Sequence, residues 1–485
     1  MSDGDLMTYP APPGVVPSPD YALTVDGQEV FVYHCPVASV ASVTASEVVH
    51  VTVRPRLAFE RVTIRPLSRG IAAEVRDGVI RFHAPPGTAD APTFLSIELD
   101  EELRRPLFLF VDPPEVDPPH PGDPNVIHLE AGRIHELGRV ELRSGQTLYI
   151  ASGAVLRGNV YAYEAEGIAI RGRGTIDGSL HLPDNPRRER VVHLAGCRDV
   201  LVEGITLLDG RTWQLMPAGC DGVTIRNVKI VSGANSDDGM DLVGSRDVVV
   251  ERCFVRTKDD CIAIKGFDSY HPRAGLPVAN VLVRDSVFWN AEWGNALEIG
   301  YETRVDAIRD VTFRNCDVIR CEAERYGSGG VLTIHNGDRA EVSNVLYDDI
   351  RVEDCREKLV DFKVCFDRYS RDTERGQIRD ITVRNVRVVD GSPPVSIVQG
   401  YDQDHIPERL TFEDVVILGQ PARDAGTMRM VTEKVRELRF VVTGRVAQRL
   451  RPAGWVPRAK ARARTEENRD RQEGTGRSGG VDNRL

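Results

Sequence analysis

The sequence predicts an all-β protein, a right-handed parallel β-helix of about eleven coils preceded by a small β-sandwich. Three observations carry this prediction. Segments that alternate apolar and polar residues return every 20–36 residues through most of the chain. The segments are punctuated by turns at Asp, Asn or Gly. Helical periodicity is nearly absent between them, which makes leucine-rich and helical repeats poor fits.

In chain order, residues 1–20 are polar and Pro-rich and predict a flexible arm. Residues 21–111 hold short alternating runs, such as 29–33, 49–53 and 94–99, separated by turn residues, the pattern of a β-sandwich. The stretch VDPPEVDPPHPGDP (111–124) has six prolines in fourteen residues. It predicts a stiff, extended linker over 112–124 and a domain boundary there. Residues 125–456 then repeat. The first apolar residues of eleven successive segments are Leu148, Ile168, Val200, Val223, Val248, Val281, Val311, Val345, Ile381, Leu410 and Leu438. A single such segment cannot bury its apolar face alone. Stacked coils bury it against the neighbours above and below and leave sheet edges only at the two ends. Residues 457–485 lack apolar periodicity and predict a disordered tail.

Composition narrows the function classes. The chain has 62 Lys+Arg against 73 Asp+Glu, a net charge of −11, which argues against a broad nucleic-acid-binding surface. The longest clean apolar run, 106–111, falls far short of the about 20 residues of a membrane-spanning helix. The first residues show neither a basic start nor an apolar core of the secretory kind, so a cytoplasmic location is expected. Nine cysteines, an odd number without CxxC spacing, predict buried thiols rather than a disulfide framework or a zinc site.

Four consecutive coils share an alignable strand: DDGMDLV (237–243), DDCIAIK (259–265), GNALEIG (294–300) and GGVLTIH (329–335). The fourth and sixth residues are apolar and point inward. Alternation then sends the second, fifth and seventh outward to solvent. Stacking predicts three outward columns: Asp238, Asp260, Asn295 and Gly330; Asp241, Ala263, Glu298 and Thr333; Val243, Lys265, Gly300 and His335. Adjacent coils lie about 4.8 Å apart, so Asp238 and Asp260 stack, with Asp259 at the corner beside them. Clustered carboxylates repel, and one can hold a proton near neutral pH while others stay basic. Acid and base across a glycosidic bond are what its hydrolysis requires. Calcium is the other ligand such an oxygen cluster suits.

These residues resemble a known family. SDDGMD (236–241), followed 21 residues after Asp238 by DDCIAIK, is similar to the paired acidic motifs of the family 28 glycoside hydrolases, the polygalacturonases and their relatives. Supporting pieces are GRVELRSGQTLYIASGAVLRG (138–158), GRGTIDG (172–178) and GNALEIG (294–300), in the family's order. The segment 296–319, with a sandwich in front of the helix, also resembles the family 49 dextranases and isopullulanases, which share the fold. Members of both families invert the anomeric centre.

The resemblance implies an inverting hydrolase of a poly- or oligosaccharide, a pectin-related uronide or a neutral α-glucan, with no cofactor and no metal. Carried over, Asp259 is the general acid, and Asp238 and Asp260 activate the water. Lys265, Asn295, Glu298, Tyr301, His335, Trp293 and Asp241 are the candidate substrate-binding residues, whereas Trp213 reads as core. Two departures bear on the sugar. The family's His falls on Asn295, and its R-I-K motif falls on VLTIH (331–335), without Arg or Lys. Two other readings stay open: a β-helical polysaccharide lyase using Lys265 as base, and a non-catalytic glycan-binding solenoid. The loops 266–279 and 321–329 are expected to wall the cleft.

Overall fold

In the computed structural model, residues 6–88, 91–179, 190–322 and 329–443 are described. Between Val126 and Val441 the described residues wind into a right-handed parallel β-helix whose coils pair coil to coil in three walls.

The first wall carries the recurrence seen in the sequence. It holds twelve paired strands, from Val126–Leu129 to Arg436–Val441, one more than the eleven segments read from the pattern. From Ile168 onward every step is in the expected register: Ile168 pairs with Val200, Val200 with Val223, and so on to Leu410 with Leu438. The first step differs, because Leu148 pairs with Ile170, two residues further along. Turn chemistry explains why the pattern is so regular. The residue just before each of these apolar positions from Ile168 to Leu438 is left-handed: Gly167, Asp199, Gly222, Asp247, Asn280, Asp310, Asn344, Asp380, Arg409 and Glu437, with φ between 50° and 69°. Gly, Asn and Asp tolerate that conformation best, and they fill eight of the ten places.

The second wall runs through Thr206–Leu208, Lys229–Val231, Phe254–Thr257 and Val287–Asn290. The third runs through Leu215–Ala218, Met240–Val243, Ile262–Gly266, Asn295–Thr303, Gly330–Asn336 and Lys358–Val364. Inward apolar residues of all three walls form one continuous core along the axis.

Residues 7–112 form a sandwich of a six-stranded and a five-stranded sheet. Strand Leu107–Asp112 lies within the six-stranded sheet and is buried on both sides, which accounts for its unbroken apolar run. Leu107, Leu109 and Val111 face the sandwich core. Phe108 and Phe110 face the second wall of the helix, where Phe108 meets Phe254 at 4.8 Å and Trp289 at 5.7 Å between ring centroids.

Two expectations about the N-terminal third change. Residues 6–20 are not a free arm: Met7–Thr8 pairs antiparallel with Ala38–Thr44, and the buried Tyr9 hydroxyl is hydrogen-bonded to Thr44 Oγ1 at 2.7 Å. The Pro-rich stretch does not span free space between two bodies. Asp112 is buried against Lys229 Nζ at 2.5 Å, Arg173 donates to the Pro113 carbonyl, and Tyr149 donates to Glu115. The described residues up to Val442 form one compact unit. The tail 457–485 lies outside the described residues. No helix among them is long and apolar enough to cross a membrane. Eight of the nine cysteines are buried, Cys365 is half-buried, and all are free.

Candidate active site

Two of the three predicted columns run unbroken on the third wall, and the third breaks between Lys265 and Gly300. Met240 pairs with Ile262 and Asp241 with Ala263; Ala263 pairs with Glu298 and Glu298 with Thr333. Val243 pairs with Lys265, and Gly300 with His335, on either side of a bulge after Ile264. At the corner, backbone N–H groups of Gly239 and Cys261 donate to the carbonyls of Asp260 and Asn295, which continues the column from Asp238 to Asn295.

The outward side chains do not reach open solvent as expected. Asp241, Glu298, Thr333 and His335 are fully buried, and Lys265 is 4% exposed. The cause is a lid of loops. The segment around Tyr270 packs its ring on Trp213 and Phe267. Buried Asp338 accepts N–H bonds from Arg371 and Asp372, and Tyr369 lies 5.6 Å from Tyr301, so residues 369–372 form the facing edge. The predicted wall at 321–329 falls largely on residues 323–328, outside the described ones.

What remains open is a cleft of about 910 Å³ lined by Asp238, Asp259, Asp260, Lys265, Trp293, Asn295, Glu298 and Tyr301. Asp241 and His335 do not line it and lie beneath its floor. Trp213, read as core, is instead part of the cleft wall, with Lys265 Nζ 3.9 Å from its ring centroid. Arg190, Arg211, Tyr270, Glu302, Arg368 and Arg371 also line the cleft and were not singled out from the sequence. Glu302 lies on the strand Asn295–Thr303; the other five come from connections between coils, where no periodicity marks a position.

The acids sit in distinct surroundings. Asp237, fully buried, accepts the backbone N–H groups of Lys258 and Asp259 at 2.9 Å each, which ties one acidic corner to the next. Burial pushes its carboxyl up to about 6. Burial, then the charges of Asp238 and Asp237, hold Asp259 well above the ordinary carboxylate range. Burial, then Glu298, Asp259 and Asp238, do the same to Asp260, although its Oδ1 accepts Asn295 N at 2.7 Å and Nδ2 at 2.9 Å. Asp238 Oδ2 lies 3.0 Å from Lys265 Nζ, and Asp241 Oδ1 lies 2.9 Å from it. Burial works against the Lys265 charge, but Asp238, Asp241 and Glu302 outweigh it and hold the ammonium form.

Gly294 makes this corner possible. Its φ is +62°, and a Cβ there would meet Asp260 N at 2.5 Å and Asp259 Oδ1 at 2.6 Å. The site brings together two carboxyls that favour the protonated form, a carboxylate on a buried cation, and aromatic walls. Among the described residues, no group of three His, Cys, Asp or Glu side chains is arranged to hold a metal ion.

The chain is similar to characterised proteins in sequence and in fold. The profile of the family described as Glycosyl hydrolases family 28 matches residues 150–434. A polygalacturonase of Juniperus ashei is 22% identical over 238 residues, covering 48% of this chain and 43% of that protein. The chain spans less than half the length of the first curated relatives it matches. Among solved structures, Dex49A from Penicillium minioluteum superposes with a TM-score of 0.68 at 16% identity, covering 90% of this chain and 96% of that one. A hyperthermoactive exopolygalacturonase from Thermotoga maritima superposes with a TM-score of 0.52 at 19% identity, over 66% of this chain and 84% of that one.

Proposed function

The chain belongs to the glycosyl hydrolases family 28, and on that premise we propose that it hydrolyses a pectin-related uronide with inversion at the anomeric carbon. The observation that carries the chemistry is the corner of Asp238, Asp259 and Asp260 on the cleft floor. Asp259, held protonated by burial and its neighbours, gives its proton to the leaving glycosidic oxygen as the C–O bond breaks. Water attacks the anomeric carbon from the opposite face, and Asp238 of the Asp238–Asp260 pair takes its proton. Lys265 anchors Asp238 from the floor.

The cations of the cleft support a uronide. The two positions that carry cations in the resembled motifs hold Asn295 and VLTIH here. Arg190, Arg211, Arg368 and Arg371 nevertheless bring guanidinium groups to the cleft from three other places in the chain. A planar guanidinium suits a sugar carboxylate. The sequence relatives, polygalacturonases in the main, point the same way. The lyase alternative loses support, because Lys265 is paired to two carboxylates and poorly placed to act as a base.

The test is a reducing-sugar assay on polygalacturonate, rhamnogalacturonan, dextran, pullulan and their oligomers, with Asp259→Asn alongside. Release from a uronide, lost in the variant, with the product first appearing as the inverted anomer by proton NMR, is the expected result. Release from dextran alone would overturn the uronide, and an unsaturated, ultraviolet-absorbing product would overturn the hydrolysis.

A further inference from the structure

Beneath the acid corner a line of buried polar groups crosses four successive strands of the third wall. Asn295 Nδ2 donates to Asp260 Oδ1 at 2.9 Å and to Glu298 Oε2 at 2.6 Å. Glu298 Oε1 lies 2.8 Å from His335 Nδ1, and His335 Nε2 lies 3.2 Å from Asp361 Oδ2. Lys363 and Lys358 close the line on Asp361 at 2.8 and 3.2 Å. Tyr301 stacks flat on the His335 ring at 4.5 Å. Asn295 is 2% exposed, and Glu298, His335 and Asp361 are fully buried.

The chemistry of the donors fixes the orientations. A carboxylate only accepts and carries negative charge, so an imidazole hydrogen-bonded to Glu298 at Nδ1 and within ion-pair distance of Asp361 at Nε2 is favoured as the imidazolium. Buried between Glu298 and Asp361, His335 is held protonated: burial opposes its charge, but the two carboxylates outweigh it and carry it up to about 9. The same pairing outweighs the burial of Glu298 and keeps that group in its ionised form. An anionic Glu298 and the Asp260 Oδ1 both call for the N–H end of the Asn295 amide. Turning the amide over would set its oxygen against both. Asn295 Oδ1 is left buried without a hydrogen-bond partner among the described residues, in a side chain that lines the cleft. An unmet acceptor in such a place is costly unless a ligand fills it.

We propose that His335 and Glu298 are positioning residues that hold the Asn295 amide with Nδ2 on Asp260, so that Asn295 Oδ1 accepts one hydrogen of the attacking water while Asp238 of the Asp238–Asp260 pair removes the other. This rests on the hydrolase reading. It assigns to Glu298 and His335, expected from the sequence to touch sugar, a role exerted through Asn295.

Two readouts test it. The first needs no substrate. In the full chain labelled with ¹⁵N-histidine, with His335→Gln identifying the resonance, His335 stays an imidazolium through pH 8. In Glu298→Gln it loses its proton at lower pH. The second is kinetic. Glu298→Gln and His335→Gln each lower kcat by 10- to 100-fold with KM within threefold, and the double variant is no worse than the more impaired single variant. Crystals of Glu298→Gln show the Asn295 amide turned or in two orientations. A neutral His335 at pH 7 in active enzyme overturns the clamp and leaves the hydrolase. So do additive losses, or losses that track the unfolded fraction by circular dichroism. An imidazolium in a protein that hydrolyses nothing on the panel overturns the hydrolase reading, and with it the water.

Discussion

The second and third walls of the helix are built alike and used in opposite ways. Both send alternate side chains outward, and on both those side chains end up buried. On the second wall they are Leu208, Val231, Phe254 and Trp289, covered by Phe94, Phe108 and Phe110 of the sandwich. On the third they are Asp241, Lys265, Glu298, His335 and Asp361, covered by loops and paired with one another. The second wall is a largely apolar joint, which also holds the buried Lys229–Asp112 pair, and its covering sheet adds stability through area removed from water. The charged wall takes polar groups out of water and recovers that cost only through their mutual pairing. One is a place to attach a domain. The other holds carboxyls away from their ordinary proton affinity, which a joint has no use for and an acid–base site needs.

The comparison breaks most sharply if charge is removed from one wall and bulk from the other. Asp259→Asn is expected to lower kcat on a uronide by about 10³- to 10⁴-fold. Its melting temperature should hold or rise, because a crowded buried acid is gone. Trp289→Ala should do the reverse. It removes a fully buried ring packed on Phe108 and leaves Glu322 Oε1 without its 2.9 Å indole donor. The expected loss is about 3–5 kcal/mol in urea unfolding, with kcat per folded molecule within twofold of the parent. If Trp289→Ala abolished turnover in fully folded protein, the two walls would not be separable in function.

How much of this the sequence foretold follows the same division. The first wall was legible because from Ile168 onward eight of ten coils place a left-handed Asp, Asn or Gly before the first apolar residue. The one register error, Leu148, is a slip of two. A slip of two keeps every side chain on its face, so inward–outward alternation cannot detect it. Strand Val126–Leu129 was missed because it is short and follows the prolines directly. On the third wall alternation placed Asp238, Asp260, Asn295, Glu298, Lys265 and His335 in their columns. It could not tell that loops would cover them, because cover comes from segments with no period. Trp213 and the cleft arginines were illegible for the same reason.

A smaller effect separates a buried acid from the catalytic ones. Asp237 binds its proton at about 6 in the folded chain, against about 3.9 for a free Asp. The folded state therefore holds that proton more tightly than the unfolded one. The stability this contributes is present below about pH 4 and is lost as pH rises through about 6, some 2–3 kcal/mol in all. Asp237→Asn keeps an oxygen for the Lys258 and Asp259 N–H groups and carries no charge. Urea unfolding at a series of pH values should show the variant gaining on the parent between pH 4 and 7. A parallel pair of curves would mean that Asp237 is not protonated there.

The smallest expected effect concerns the cover rather than the wall. Arg368 is exposed, lines the cleft and packs its guanidinium 4.6 Å from the centre of the Tyr369 ring. It has no part in the buried pairing beneath. If the floor supplies the proton chemistry and the loops read the sugar, Arg368→Gln should raise KM for an oligogalacturonide roughly tenfold and leave kcat within threefold, the worth of one charge-assisted contact. The increase should shrink as salt is added, since an exposed ion pair is screened. A fall in kcat at constant KM would instead place Arg368 in the transition state, and the division between a chemical floor and a reading lid would fail at that residue.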